Sequence, residues 1–125
     1  MKKIISTNNA PAAIGPYSQA IEVNGTLYAS GQIPIDPATG DFVAGGIKEQ
    51  TEQVFKNIKA ILAEAGLTTS NIVKTTVLLS DIANFAAMNE VYATQFEGTF
   101  PARSAFAVRD LPKAAMVEIE IIAVR

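Results

Sequence analysis

Residues 47–66 read IKEQTEQVFKNIKAILAEAG, and this stretch decides the fold because the period of the hydrophobic pattern changes here. One set of residues recurs at intervals of three and four, as on an amphipathic α-helix, with Lys and Glu on the far side. That stripe comprises Ile47, Thr51, Val54, Phe55, Ile58, Ile61, Leu62 and Ala65. Gly66 is a typical helix terminator. The stretch therefore predicts one long helix with a single face for burial.

Strands are predicted on the N-terminal side of this helix. A short strand near Lys3–Ser6 is followed by the loop NNAPAAIGP, in which prolines and a glycine interrupt regular pairing. YSQAIEV and TLYASGQI are typical of two strands, and Asn24-Gly25 between them is the commonest two-residue hairpin signal. The cluster DPATG indicates another turn before the helix begins.

The C-terminal side adds a second helix and further strands. NIVKTTVLLS, ARSAFAV and AMVEIEIIAV predict strands from their β-branched and apolar content. Asp81 is placed to cap a helix that Gly98 ends, and its apolar stripe is Ile82, Phe85, Met88, Tyr92 and Phe96. We expect an α+β fold, one domain over residues 1–125, with about six strands in a mixed sheet and two long helices on one face.

The last predicted strand carries apolar residues on both faces. Ile122 and Val124 lie on one side, and Val117, Ile119 and Ile121 lie on the other. Two helices cover only one face of a sheet, so the other face needs a partner, and another copy of the chain is the simplest one. We therefore expect a homo-oligomer.

The missing residue types restrict the chemistry. The chain of 125 residues contains no Cys and no His, which excludes disulfides, thiolate nucleophiles, Ser-His-Asp triads and nearly every zinc site. Proton transfer then has to use Glu, Asp, Lys, Tyr or bound water. A net charge of −2, a pI of about 5.0 and scattered basic residues argue against a nucleic-acid surface. No signal peptide or membrane-length apolar run is visible, which favours a soluble cytoplasmic protein.

Arg103 is the first candidate for ligand binding. In PARSAFAV the period of two puts Arg103, Ala105 and Ala107 on one face of a strand. Small neighbours leave room beside a guanidinium, which is a planar, two-pronged partner for a carboxylate. An internal Glu is the equal alternative, because buried arginines are commonly paired.

Glu118 and Glu120 share the mostly apolar strand face of Ile122 and Val124. Burial raises the pKa of a carboxyl in such a place, whereas a nearby arginine lowers it. With no His available, one of these acids is the natural group to handle a water proton. The alternative is an edge strand whose acids point to solvent, and the pattern does not choose between the two.

Three further positions have a functional and an ordinary interpretation. Tyr17 follows Gly15-Pro16 and is either held rigidly as a hydrogen-bond donor or simply packed at a strand start. Gly31 within ASGQIP marks a bulge or a close backbone approach, with its N–H available to an anion. Asn89 is by default a polar surface residue. No phosphate-binding glycine loop or calcium loop is present.

Four stretches together closely resemble the RidA (YjgF) family of enamine/imine deaminases: NAPAAIGPYSQA, ASGQIP, IVKTTVLL and FPARSAFAVRDLPKAAMVEIEIIAVR. The resemblance covers essentially the whole chain. It implies a chorismate-mutase-like fold, a homotrimer with an active-site cleft at each subunit interface, and no metal or organic cofactor. The implied activity is hydrolysis of 2-imino acids, such as 2-iminobutanoate and 2-iminopropanoate, to 2-oxo acids and ammonia. These imines leak from pyridoxal-phosphate enzymes of amino-acid metabolism.

The resemblance also implies a role for each matching position. Arg103 matches the arginine that grips the substrate carboxylate, and Glu118, rather than Glu120, matches the acid that orients the attacking water. Tyr17 matches a tyrosine that lines the cleft. Backbone and polar contacts to the substrate are implied for Ser30, Gly31, Asn89 and Ala105.

Two departures from the family are visible. Many relatives carry a cysteine where this chain has Ala105, so thiol-based regulation is excluded at that position. The segment between Tyr92 and Phe100 is a few residues shorter than in some relatives, which bears on the preference for substrate side chains.

Other functions are alternatives to deaminase activity. A non-catalytic trimer that binds small acids and regulates a partner needs Arg103 but not Glu118. An RNA-cleaving translation inhibitor is disfavoured by the acidic pI and the absence of His, and nothing in the sequence indicates a chaperone.

Overall fold

A computed structural model describes all 125 residues of the chain, Met1–Arg125. The regular elements, apart from three short 3₁₀ turns, are β1 (Lys3–Ile5), β2 (Ala20–Val23), β3 (Thr26–Gln32), α1 (Ile47–Glu64), β4 (Ile72–Leu79), α2 (Phe85–Thr94), β5 (Ala102–Ala107) and β6 (Val117–Val124). Neither helix combines the length and the apolar character needed to cross a membrane.

The six strands form one mixed sheet in the order β1-β2-β3-β6-β4-β5. Strands β4 and β5 pair in parallel and are connected through α2, and all other neighbours are antiparallel. The last strand of the chain, β6, thus inserts between β3 and β4 at the centre of the sheet. The predicted α+β fold, with a six-stranded sheet and two helices, is confirmed.

The sheet has a face covered by both helices and a face that is open. Val117, Ile119 and Ile121 of β6 are at most 2% exposed and pack in one core cluster with the helices. The residues that alternate with them, including Glu118 and Glu120, therefore project from the open face. Tyr28, Phe106 and Val124 also lie on the open face and are 49%, 48% and 38% exposed. The uncovered apolar surface that the sequence predicted is present.

The predicted hairpin turn at Asn24-Gly25 and the predicted end of the first helix at Gly66 are both confirmed. Asn24 and Gly25 both have positive φ, 49° and 79°, as a tight hairpin turn between β2 and β3 requires. Helix α1 begins at Ile47, and Gly66 follows its end with a φ of 75°, the left-handed conformation that favours glycine.

The second helix is shorter than predicted at both ends. Asp81 accepts from the Ala83 N–H and caps a 3₁₀ turn, and α2 proper begins only at Phe85. It ends at Thr94 rather than near Gly98. The Val91 carbonyl, which the next helical turn needs, accepts instead from the side chains of Thr94 and Gln95. Side-chain competition for a backbone acceptor is a common reason for a helix to stop.

Candidate functional site

Arg103 lies on β5, the edge strand of the sheet, and points to the helix-covered face. It pairs with Thr75 of β4, and its Nη1 donates to Asn89 Oδ1 at 2.7 Å. The guanidinium carbon lies 4.7 Å from the ring centre of Tyr92 and 5.3 Å from that of Phe85. Helix α2 thus orients the guanidinium through one hydrogen bond and two cation–π contacts.

No carboxylate of its own chain pairs with Arg103. The three ion pairs of the chain lie elsewhere, so the internal Glu partner considered from the sequence is absent. A guanidinium carries five N–H donors, and one of them is engaged by Asn89. A half-buried, oriented guanidinium with free donors is suited to bind a carboxylate from outside the chain.

A cleft of about 360 Å³, which we call the arginine cleft, opens beside this side chain. It is lined by Asn89, Tyr92, Ala93, Phe100, Pro101 and Arg103. The Tyr92 and Thr75 hydroxyls share a 2.7 Å hydrogen bond. Burial raises the pKa of the Tyr92 hydroxyl, against the opposing effects of Thr75 and the Arg103 charge. Tyr92 is therefore a fixed, neutral wall beneath the guanidinium, and the short segment noted from the sequence ends at the cleft, at Phe100.

Glu118 lies on the open face of the sheet, against a bulge in β3. The β3–β6 register shifts between Ala29 and Gln32, and the Glu118 carboxyl packs onto Gly31 at this point. A Cβ atom added to Gly31 would lie 2.0 Å from Glu118 Oε2, so any side chain at this position would displace the carboxyl. The sequence predicts either a bulge or a close approach to the backbone at Gly31. The structure shows the bulge, and the Glu118 side chain makes the close approach.

Burial raises the pKa of Glu118, and the negative charge of Glu120 raises it further. A raised pKa makes the carboxylate a stronger base and increases the fraction of the carboxyl that is protonated, so the group is better matched to proton transfer near neutral pH. Glu120 is exposed and does not line the same cleft. The structure therefore distinguishes two acids that the strand pattern left equivalent.

Glu118 lines a second and larger cleft of about 570 Å³, which we call the glutamate cleft. Its walls come from the loop before β2, the end of β3 and the turn before β6. They are Pro11, Ala12, Ile14, Tyr17, Gln19, Ser30, Gly31, Gln32, Ile33, Ile35, Pro112, Lys113 and Glu118. The Tyr17 side chain is 53% exposed and Ile14 is 85% exposed, so this wall presents apolar surface to solvent.

One side chain that the sequence analysis missed holds the loop of the glutamate cleft. Gln19 is buried, accepts from the Thr7 N–H at 2.7 Å, and donates to the carbonyls of Thr7 and Pro11 at 3.0 and 2.7 Å. Ser30 Oγ donates to the Ser18 carbonyl at 2.7 Å and ties the same loop to β3. The only sequence signal for Gln19 was a polar residue at the start of a strand, and this does not reveal its partners.

The predicted site residues fall into two groups on opposite sides of the sheet. Arg103 and Asn89 line the arginine cleft, whereas Tyr17, Ser30, Gly31 and Glu118 line the glutamate cleft. The two clefts share no lining residue. Ala105 follows Arg103 on the covered face and lines neither cleft. Within one chain, the arginine and the glutamate do not reach the same small ligand.

Each cleft alone is chemically incomplete. The arginine cleft offers a fixed cation but no carboxyl, and the glutamate cleft offers a carboxyl of raised pKa beside apolar walls. No three His, Cys, Asp or Glu side chains lie close enough together to hold a metal ion. Together the clefts contain an anion clamp and a proton-transfer group, which suit the addition of water to an acidic substrate.

Comparison with known proteins gives a family for this architecture. A family model described as endoribonuclease L-PSP matches residues 7–125. Among curated relatives, a mouse protein named 2-iminobutanoate/2-iminopropanoate deaminase is 52% identical, over the whole of this chain and 93% of its own length.

Solved structures agree with this result over the full chain. A Yersinia pestis protein of the conserved Rid family, YyfA, described as of unknown function, is 58% identical, with a TM-score of 0.97 and full coverage of both chains. The structure of E. coli TdcF with bound serine is 44% identical, with a TM-score of 0.94 over 98% of each chain.

Proposed function

The chain belongs to the family described as endoribonuclease L-PSP, and from that premise we propose that it hydrolyses 2-imino acids, such as 2-iminobutanoate and 2-iminopropanoate, to 2-oxo acids and ammonia. The observation that carries the proposal is Arg103, a guanidinium oriented by α2 that has no carboxylate partner in its own chain. The names of the full-length deaminase relatives support the same substrate class.

The reaction needs a carboxylate clamp and a proton shuttle. Arg103 binds the carboxylate of the imino acid and fixes the plane of its C=N bond, while Asn89 holds the guanidinium in place. Glu118 orients a water molecule and accepts its proton as the water oxygen bonds to C2 and the π electrons of C=N move to nitrogen. The same carboxyl returns the proton to nitrogen. In the resulting carbinolamine, the carboxylate takes the hydroxyl proton and passes it to nitrogen, so that the C–N bond breaks, ammonia leaves and the C=O bond of the 2-oxo acid forms.

The remaining predicted residues shape the cavity around these two groups. Tyr17 and Ser30 supply hydroxyls beside Glu118, and Gly31 gives the carboxyl the space that any side chain would occupy. Ala105 lines neither cleft within one chain, and in the proposed assembly it contacts the substrate through its backbone. Imines already hydrolyse in water, so orientation and a general acid/base worth about 10²–10⁴-fold are sufficient.

We place each active site between two copies of the chain in a homotrimer. Arg103 and Glu118 project from opposite faces of one sheet and into separate clefts, so a complete site requires one group from each of two copies. A cyclic assembly joins unlike surfaces of neighbouring copies and repeats that contact around the ring. The exposed apolar residues of the open face are consistent with its being covered by another copy.

In this proposal, the substrates are imines that pyridoxal-phosphate enzymes release from amino acids. Removing a reactive imine before it damages another enzyme is a role that needs no cofactor of its own.

The test generates 2-iminobutanoate in situ with a threonine dehydratase and measures the imine that survives by trapping it with semicarbazide. The wild-type protein is expected to accelerate imine loss, and Arg103→Ala is expected to lose that acceleration. Arg109→Ala is the matched control, since the Arg109 side chain is 97% exposed and outside both clefts. Wild-type protein without effect, or Arg103→Ala with full activity, overturns the proposal.

A non-catalytic acid-binding trimer is the second candidate. The E. coli relative whose structure contains serine favours it, because serine carries the carboxylate that Arg103 is suited to bind. This function predicts that the wild-type protein binds 2-oxobutanoate by calorimetry without hydrolysing the imine. An imine-hydrolysing wild type excludes it as the main function.

The ribonuclease activity in the family description is not proposed for this chain. Its net charge is −2 and it has no His to act as a general base on a ribose hydroxyl. If RNA binding is measured, we expect only weak affinity that falls steeply with salt.

A further inference from the structure

Helix α1 carries three buried carboxamides that its apolar stripe does not explain. Gln50, Gln53 and Asn57 are 7%, 8% and 0% exposed. A buried carboxamide destabilises a fold unless it finds hydrogen-bond partners. All three do so: Gln53 bonds to Asn57 on the same helix, while Asn57 and Gln50 bond to backbone near the end of β3 and the start of β6.

Asn57 holds the backbone that follows β3. Its Nδ2 donates to the Ile33 carbonyl at 3.2 Å and to the Ile35 carbonyl at 2.9 Å. Gln53 donates to Asn57 Oδ1 at 2.9 Å, which leaves both Asn57 N–H groups for the two carbonyls. Ile33 and Ile35 form one wall of the glutamate cleft.

Gln50 holds the backbone that precedes β6. Its Oε1 accepts from the Met116 N–H at 2.9 Å, and the Met116 carbonyl accepts from the Ser80 N–H at 3.1 Å. Met116 stands two positions before Glu118. Gln50 therefore holds the chain immediately before it enters the strand that carries the proposed proton-transfer residue.

The turn just before Met116 needs such an anchor. Lys113 and Ala114 have φ values of 56° and 59°, a left-handed conformation that non-glycine residues adopt only when their surroundings enforce it. Pro112 and Lys113 of this turn form the opposite wall of the glutamate cleft. Gln50 is the side chain that fixes the chain where this strained turn joins β6.

We propose that Gln50 and Asn57 are positioning residues, which fix the two backbone walls of the glutamate cleft and thereby place the Glu118 carboxyl for water addition. The inference rests on the proposed function, since it assigns both side chains to water addition at Glu118, and neither of them lines the glutamate cleft. It assigns to α1, a helix on the opposite face of the sheet from Glu118, a direct part in the geometry of the site.

The test compares two substitutions of nearly equal size at one position. Gln50→Glu keeps an oxygen that accepts from Met116, and Gln50→Met fills the same space without an acceptor. Gln50→Met is expected to lower kcat about tenfold, since small misplacements near a reacting centre have effects of up to about 10²-fold. Gln50→Glu is expected to restore kcat to within about twofold, as the hydrogen bond returns.

Thr51→Val on the same helix is the matched control. Thr51 is fully buried and donates within its helix to the Ile47 carbonyl at 2.7 Å, so its loss affects stability but neither wall of the cleft. We expect Thr51→Val to lower the Tm without a change in kcat. Asn57→Ser, which cannot reach the carbonyls of Ile33 and Ile35, is an independent second variant expected to lower kcat severalfold, should Gln50→Met not fold.

The titration of Glu118, followed by NMR of ¹³C-labelled glutamate, provides a readout that does not depend on turnover. Gln50→Met is expected to move the Glu118 midpoint toward the ordinary value for a glutamate, because a loosened β6 admits water, while Thr51→Val leaves it unchanged. Unchanged kcat and unchanged Glu118 titration in Gln50→Met, or equal losses in Gln50→Met and Gln50→Glu, overturn the inference. Absent turnover in the wild type overturns the proposed function instead, and the titration then decides the positioning role by itself.

Discussion

The arginine cleft and the glutamate cleft are built in different ways. In the arginine cleft, side chains of a regular helix fix the functional group, with Asn89 and two aromatic rings around Arg103. In the glutamate cleft, a strand bulge and an irregular loop carry the walls, and carboxamides such as that of Gln19 hold the backbone. One cleft contains an oriented guanidinium, and the other contains a carboxyl of raised pKa between walls of irregular backbone. The sheet separates the two halves of a single chain.

Among the substitutions that separate the two clefts, Glu118→Gln is expected to have the largest effect on turnover. The variant loses the proton-transfer group but leaves the arginine cleft intact, so kcat should fall about 10²–10⁴-fold. Binding of 2-oxobutanoate, measured by calorimetry, should be nearly unchanged. Glu120→Gln, two residues along the same open face, is the control and should retain most of the wild-type turnover, because it removes only the smaller of the two causes that raise the pKa of Glu118. Equal losses in the two variants would mean that surface charge, rather than Glu118 itself, supports the reaction.

Gly31→Ala is expected to have the next largest effect. The new methyl group meets Glu118 Oε2 and displaces the carboxyl without removing it, so kcat should fall about 10–10²-fold. Gly46→Ala is the control, because the nearest atom to its added Cβ lies 4.0 Å away. Turnover and a crystal structure of Gly31→Ala test this directly. A variant with normal kcat and an undisplaced carboxyl would refute the close packing of Gly31 and Glu118.

A smaller effect, confined to the arginine cleft, is expected from Asn89→Ala. Loss of the 2.7 Å hydrogen bond frees the guanidinium to sample other orientations, so KM should rise about fivefold to tenfold. The pH profile, which reports on Glu118, should keep its shape. A changed profile with an unchanged KM would indicate that Asn89 acts on the other half of the site.

The smallest predicted effect is the contribution of Glu118 to the pH dependence of the free energy of unfolding. The pKa of Glu118 is raised above its ordinary value of 4.5 by burial and by Glu120, so the folded protein holds this proton more tightly than the unfolded chain does. The contribution of Glu118 to the free energy of unfolding is fully present when the pH is below the ordinary pKa of a glutamate. It is lost as the pH rises through the raised pKa of the folded state. Glu118→Gln should therefore gain stability relative to wild type over that pH window. Urea unfolding of both proteins across the window measures the difference, and a constant difference would show that the pKa is not raised.

Local structure could be predicted where a single residue type or the period of the hydrophobic pattern determines it. The stripe from Ile47 to Ala65, the Asn24-Gly25 turn and the shared face of Arg103 and Ala105 all follow from local rules. The end of α2 was not predictable, because it depends on Thr94 and Gln95 competing for one carbonyl.

The arrangement of the site required information that no local pattern contains. Arg103 and Glu118 lie on strands whose register with β4 is set by long-range pairing, so their opposite orientations became visible only with the whole sheet. The buried carboxamides of Gln50 and Asn57 are indistinguishable in sequence from residues of a solvated helix face. Their backbone partners lie 66 and 22–24 positions away along the chain.

The central claim is that one active site combines Arg103 of one copy with Glu118 of another. It is tested most directly by mixing Arg103→Ala and Glu118→Gln, each inactive alone, by co-expression or by joint refolding, and measuring hydrolysis of 2-iminobutanoate. A site shared between neighbours predicts recovery of about one quarter of wild-type activity per chain, the statistical share of interfaces that join two intact groups in a randomly mixed ring. Mixing Arg103→Ala with the Arg103→Ala, Glu118→Gln double variant controls for nonspecific rescue and should give none. Hybrid oligomers without activity would contradict the account, because both groups would then have to act within a single chain.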